Sequence, residues 1–309
     1  MERGAWMCAA LLAAVVVLLR VSSPGVLEMA DGDYHYLFAR WSWAHPELLL
    51  DHWAKPLFTL LASPFAQLGL WGVTLFNAGS AFVAAWLCIG IVRREAPGAA
   101  WAVPVLLFCA PAFLYVLLAG MTEALFAVLT IVVAWCLVRE RYVPGAIVAS
   151  FVPLARPEYV AFMPAVFAWL VWKRQWRALP WLACGLLVYS LIGWPVFHDP
   201  LWFFHNDPYP GNDIYGSGAF SHFWDQRDAI AGEPLRTLFL LSCVIMAALI
   251  VVDRERREDH LRMSVLAAAP AIAMWLAHSY VWWKGGHGSM GLIRVLATSL
   301  PLMVLFTVH

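Results

Sequence analysis

Long apolar runs alternate with short charged clusters from one end of the chain to the other. Runs near 5–21, 73–92, 99–118, 121–138, 144–156, 157–172, 178–197, 235–252, 264–282 and 290–308 carry few or no charges. A helix needs about 20 such residues to cross the hydrocarbon of a bilayer, with roughly 17–25 tolerated. The pattern predicts an all-α, polytopic integral membrane protein with about 10 spans. Pro157 divides the stretch from 144 to 172, because the residue before a proline is pushed out of the helical region. The first run is read as a span. Its alternative is a cleavable signal peptide, with Arg3, an apolar core from Ala5 to Leu19, then Ser22-Ser23. The parity of the later spans is the same in either case.

The charges order these spans. Arg93-Arg94, Arg139-Glu140-Arg141, the stretch Lys173 to Arg177 and the stretch Asp253 to Arg262 all fall on one side. That side carries 12 Lys and Arg against 7 Asp and Glu, and the other carries 8 against 13. By the positive-inside rule the basic side is cytoplasmic. Two longer connections, 22–72 and 198–234, lie on the opposite, outer side. The first holds Tyr34, Tyr36, Phe38, Trp41 and Trp43 among scattered charges, which suits short helices lying in the plane of the interface. With no repeat and no long soluble segment, residues 1–309 read as a single membrane domain.

Composition narrows the class. The chain is 62% hydrophobic and 13% charged, against about 45–50% and about 25% in soluble domains. Its 20 basic residues balance 20 acidic ones, so no cationic surplus exists to release counterions from a nucleic acid. The six cysteines, Cys8, Cys88, Cys109, Cys136, Cys184 and Cys243, sit inside apolar runs and predict neither a disulfide framework nor a thiolate metal site.

Ionisable groups near hydrocarbon cost about 2.5–3.5 kcal/mol each at a helix centre, and here they gather on the outer face. Asp31 and Asp33 stand in Ala-Asp-Gly-Asp-Tyr-His-Tyr, and Asp51, His52 and Lys55 in Asp-His-Trp-Ala-Lys-Pro-Leu. Glu123 follows Thr122, and Arg156 and Glu158 flank Pro157. Lys284, His287 and Arg294 lie in Lys-Gly-Gly-His-Gly-Ser-Met-Gly-Leu-Ile-Arg. Each has a plainer reading. Asp31-Gly32-Asp33 could be a solvated turn, Lys55 could snorkel to headgroups, Arg156 and Glu158 could pair across the bend, and Arg294 could anchor its helix. Segments so far apart on one face nevertheless predict an assembled site. The outer histidines, at 35, 45, 52, 198, 205, 222 and 287, form no metal-ligand motif.

Taken in order, these segments resemble the GT-C class of integral-membrane glycosyltransferases. An acidic pair early in the first outer loop is followed by His-x-x-Lys-Pro entering a helix. Thr-Glu then opens a helix, Arg-Pro-Glu marks a junction, and a final Arg opens the last helix. Several branches of the class show Lys-Pro-Pro, where this chain has Leu57 after Pro56.

The resemblance implies a membrane fold and transfer of a sugar from a polyprenyl-phosphate donor to a hydroxyl of a lipid, glycan or protein acceptor. It implies a carboxylate base acting in a single, inverting displacement, with Asp33 the first choice and Asp31 the alternative. Lys55, Arg156, Arg294 and His52 would bind the phosphate, with Glu123 and Glu158 orienting these groups. Asn206, Asp207, Tyr215 and His222 in the aromatic outer loop, with Lys284 and His287, would contact sugar or acceptor; an aromatic belt is the plainer reading of that loop. No cofactor is expected, and a divalent metal, if used, would sit at Asp31 and Asp33. The expected location is a bacterial inner membrane, with the site on the periplasmic side. The alternative function is a lipid or glycolipid transporter or flippase, which predicts repeats and mid-membrane polar groups.

Overall fold

A computed structural model describes residues 2–23, 31–206, 216–286 and 290–309. Among them all regular secondary structure is helical, with no strand. Among the described residues five helices are long and apolar enough to cross a membrane: Glu2–Ser22 (α1, apolar from Arg3), Leu70–Val92, Leu179–Phe197, Glu233–Val252 and Arg257–Lys284. The remaining runs form shorter or broken helices, so the expected count of ten rests on the sequence pattern alone.

The breaks have local causes. The first outer loop folds into Asp31–Trp41 (α2), the 3-10 turn Pro46–Leu50 and Pro56–Ala66 (α3). All are too short to span. Acidic Asp31 and Asp33 occupy the first turn of α2 and Arg40 its last, each complementing the helix dipole. Pro56 starts α3 at a position where its missing N–H is not needed. Leu70–Val92 (α4) buries Gly72, Ala78, Ala81, Ala84, Ala85 and Cys88, small residues that let neighbouring helices approach closely. It packs on α1 and on Glu123–Val138 (α7).

The run predicted at 99–118 divides into Ala102–Phe108 (α5) and Pro111–Leu118 (α6), with Pro111 opening the second piece. Four residues later the chain turns by 117° into α7. Such a break inside a membrane domain frees carbonyls that neighbours must satisfy. Here α4 supplies the donors: Asn77 Nδ2 donates to Val116 O at 3.4 Å and Met121 O at 2.8 Å, and Thr74 Oγ1 to Leu118 O at 3.3 Å. The turn therefore sets the first residue of α7, Glu123, inside the protein with no exposed surface.

Two helices follow, Tyr142–Phe151 (α8) and Tyr159–Trp172 (α9), separated by a 3-10 turn and the Arg156-Pro157-Glu158 junction. Cys184–Phe197 (α10), Trp202–His205 (α11), His222–Asp225 (α12), Arg227–Ala231 (α13), Glu233–Val252 (α14), Arg257–Met263 (α15) and Ala269–Lys284 (α16) continue the chain. A 3-10 segment, Ile293–Ser299, leads into Leu300–Val308 (α17).

The four basic clusters meet at one end of the bundle. Lys173 pairs with Glu258, Arg256 with Glu95, and Arg139 and Arg141 lie 5.3 and 5.4 Å from the centre of the Trp135 ring. Helix α7 runs from Glu123 to this end, roughly 24 Å at 1.5 Å per residue. The charged groups at its start are therefore at the opposite end from the basic clusters, as the charge pattern predicts.

Candidate functional site

Three segments far apart in sequence bring their charges together at the start of α7. Arg156 donates through Nε and Nη2 to Glu158, at 2.8–3.0 Å, and through Nη1 to Thr122 Oγ1 at 2.8 Å. The same Nη1 stands 3.0 Å from Glu123 Oε1. Arg294, from the 3-10 segment before α17, reaches that oxygen at 3.3 Å with Nη1 and pairs with Asp31 through Nη2. His278 Nε2 lies 3.4 Å from Glu158 Oε1. Arg156, Arg294, Glu123 and Glu158 are all buried. Carboxylate and guanidinium thus alternate from Asp31 through Arg294, Glu123 and Arg156 to Glu158.

Burial makes these pairs matter. A charge taken out of water is tolerated only when it is paired and hydrogen-bonded. The cluster supplies both, and a guanidinium fork facing two carboxylates is rigid. Two residues of the cluster were not singled out in the sequence as site residues. Thr122 was visible only as the partner of Glu123 in Thr-Glu, and His278 only as a polar residue inside an apolar run.

Lys55 borders the cluster and is buried. Its backbone is left-handed, with φ 63°, a conformation that costs a non-glycine residue of order 1–3 kcal/mol and clusters at functional sites. The loop before it enforces the turn: Asp51 Oδ1 accepts from Ala54 N at 2.9 Å, and Lys55 Nζ donates to Trp53 O at 2.9 Å and His52 O at 3.3 Å. Burial first, then the Arg156 charge, bring the Lys55 ammonium down from 10.5 to about 7, with Glu158, Glu123 and Asp51 acting the other way.

His35 is the third residue missed in the sequence, where it is one histidine of seven. It lies one helical turn beyond Asp31 on α2, buried, with its ring stacked on Trp53 at 4.8 Å and 16°. Burial, and then the charges of Lys55, Arg156 and Arg294, hold its pKa well below the ordinary value. The imidazole is neutral at physiological pH, and its Nδ1 has no hydrogen-bond partner among the described residues.

The other expected site residues are placed as follows. Asp33, in the same turn of α2 as Asp31, makes no hydrogen bond or ion pair with a described residue. His52 sits beside Lys55 and its Nδ1 donates to Asn206 O at 2.9 Å. His222 Nε2 faces Gly291 O at 2.8 Å, and Lys284 is exposed over the Trp283 ring at 4.1 Å. Neither belongs to the charged cluster. Asp207, Tyr215 and His287 lie outside the described residues. Among the described residues no three His, Cys, Asp or Glu side chains are grouped to hold a metal.

This arrangement can be compared with known proteins. No protein-family model matches the sequence, and no curated protein matches it. Two solved structures share its architecture over 97% of the chain, at 16% identity and TM-scores of 0.66 and 0.68. They are ArnT from Cupriavidus metallidurans, bound to undecaprenyl phosphate and in the apo state. The chain therefore shares the fold of these two structures. The chain spans 58% of the length of each ArnT structure. With this fold and its membrane-length apolar helices, the chain is an all-helical integral membrane protein among the described residues.

Proposed function

We propose that the protein is a membrane glycosyltransferase that takes its sugar from a polyprenyl-phosphate donor and passes it to an acceptor hydroxyl by a single, inverting displacement. The observation that carries this reading is the convergence of Lys55, Arg156 and Arg294 at one end of a fold shared with a protein solved with undecaprenyl phosphate bound. A departing lipid phosphate gains charge in the transition state, and fixed cations in a water-poor site stabilise that charge best. Arg156 and Arg294 are held by carboxylates at fixed positions and supply preorganised donors. Lys55 supplies a charge that responds to the ligand.

The acceptor needs a base. Asp31 is committed to Arg294, whereas Asp33, which pairs with no described residue, can accept a hydroxyl proton. In this reading Asp33 takes the proton as the acceptor oxygen attacks the anomeric carbon, and the bond to the phosphate oxygen breaks on the opposite face. In this reading the end of the bundle away from the basic clusters is the periplasmic side of a bacterial inner membrane. The acceptor is a lipid, glycan or protein hydroxyl.

The direct test is transfer or release of label from polyprenyl-phosphate sugars by the purified protein in nanodiscs. Turnover with any such donor is the expected result. No turnover and no binding of undecaprenyl phosphate, with divalent metals present or chelated, would overturn the reading and bring lipid transport forward.

Lys55 gives a pH signature. Only its ammonium form attracts phosphate, and with the proton leaving at about pH 7 its contribution to undecaprenyl phosphate binding falls as pH rises from 6 to 9. The loss is limited to about tenfold per pH unit, the change in the protonated fraction. Phosphate ionisation itself works in the opposite direction, so the measured quantity is the ratio of wild-type to Lys55→Gln affinity. That ratio is expected to shrink with pH, and a constant ratio would remove Lys55 from the phosphate site. Stability moves the other way. The unfolded chain holds this proton up to 10.5 and the folded one only to about 7, so stability rises with pH across that window.

A further inference from the structure

Next to the cation cluster lies an open cleft of about 370 Å3 between the turn ending at His52 and the end of α10. Its polar lining is Glu47, Asp51, His52 and Asn206, and Phe197 and Val196 form its apolar side. The sign of the charge inverts within one turn of chain: Asp51 lines the cleft, and four residues on Lys55 lies within the electrostatic reach of Arg156. Among the described residues its lining holds two carboxylates and no Lys or Arg.

Its wall is rigid. His52 stacks on Trp202 at 4.6 Å and 27° while donating to Asn206 O. Phe197 stacks on the same indole at 4.3 Å and 13°. Trp202 is buried against α10, with Nε1 on Ser190 O at 3.1 Å, and it fits only because residue 193 is glycine: a Cβ there would lie 2.1 Å from the indole.

Carboxylates accept hydrogen bonds from hydroxyls and repel anions. An aromatic face covers the apolar face of a ring. We propose that this cleft is a saccharide subsite that takes a sugar ring without negative charge and turns away a carboxylated or phosphorylated one. The proposal rests on the glycosyltransferase reading, because the cleft adjoins the same Lys55 loop. Cations on one side and carboxylates on the other match the two halves of a glycosyl phosphate.

The test uses the full chain in nanodiscs and saturation-transfer NMR with two probes, methyl α-D-glucopyranoside and methyl α-D-glucuronoside. The glucoside is expected to bind about tenfold or more tightly than the uronate, a difference of about 1.4 kcal/mol. Glu47 and Phe197 are exposed, and an unfolding midpoint near that of the wild type checks that each variant folds. Phe197→Ala is expected to weaken the glucoside, and Glu47→Lys to abolish the discrimination. Equal binding of the two probes, binding of neither, or discrimination unchanged in Glu47→Lys would overturn the subsite.

Donor cleavage identifies which ring occupies the cleft, each answer supporting the subsite. Inhibition by the glucoside with no acceptor present assigns the donor sugar; inhibition only with acceptor present assigns the acceptor. The two readings fail separately. Turnover without charge discrimination overturns the cleft alone, and selective sugar binding without turnover of any polyprenyl-phosphate sugar overturns the glycosyltransferase.

Discussion

Asp33→Asn is expected to lower sugar transfer about 10²–10⁴-fold, the usual contribution of a positioned general base, while undecaprenyl phosphate binds as in the wild type. Residues advance about 100° each around a helix, so two carboxylates two positions apart on α2 point to nearly opposite sides. Asp31 points to Arg294 and is tied to it. Asp33 is half-buried and makes no hydrogen bond or ion pair with a described residue. A base needs an uncommitted lone pair, which singles out Asp33. Asn keeps the size and loses only the proton affinity, so the loss belongs in kcat.

Asp31→Asn has a different signature. It releases Arg294, and the expected effect is weaker lipid-phosphate binding and a lower unfolding midpoint. Measuring turnover and undecaprenyl phosphate affinity for both variants separates the roles. A large kcat loss for Asp31→Asn with full activity in Asp33→Asn would exchange them.

The membrane architecture was legible because hydrophobic burial in a bilayer demands long apolar runs, and those runs stand out from the clusters beginning at Arg93, Arg139, Lys173 and Asp253. Their meeting at one end follows from the parity of the spans. The breaks were not legible. Hydropathy alone cannot show that α6 and α7 turn by 117°, since the carbonyls freed there are satisfied by Asn77 and Thr74 of another helix. Asn77 in the middle of an apolar run was the visible trace, because a polar side chain at that depth needs a partner.

At the site, the residue types and their gathering at the end away from the basic clusters were readable, and the pairings were not. Arg294 meets Glu123 across 171 positions and Asp31 across 263, distances over which local periodicity carries no information. The reading of Arg156 and Glu158 as a mutual pair across Pro157 and their reading as site residues also turn out to be compatible. The guanidinium grips Glu158 with Nε and Nη2 and turns Nη1 to Thr122 and Glu123. His35 escaped notice because a histidine among aromatics looks like part of an interfacial belt. Only the fold shows three cations around it.

Glu123→Leu is expected to be the most damaging single change to stability, with a loss of about 3–5 kcal/mol, the range for breaking a buried ion pair by removing one partner. Glu123 is fully buried, and its Oε1 is shared by Arg156 at 3.0 Å and Arg294 at 3.3 Å. Without it the two guanidinium groups face each other across an apolar side chain. Each keeps another carboxylate, Glu158 and Asp31, so the protein loses one shared anion and retains two cations. Glu123→Gln keeps the volume and one acceptor oxygen, and about 1–3 kcal/mol is expected.

The comparison that isolates electrostatics from packing is the double variant Glu123→Leu with Arg294→Met. Removing the second charge with the first takes away the repulsion, so the pair is expected to be more stable than the sum of its single variants predicts, by 0.5–3 kcal/mol as contacting residues usually couple. Unfolding midpoints in detergent micelles provide the measurement. Strict additivity would mean that Glu123 holds the turn between α6 and α7 by shape, and that the cations are anchored by Glu158 and Asp31 alone.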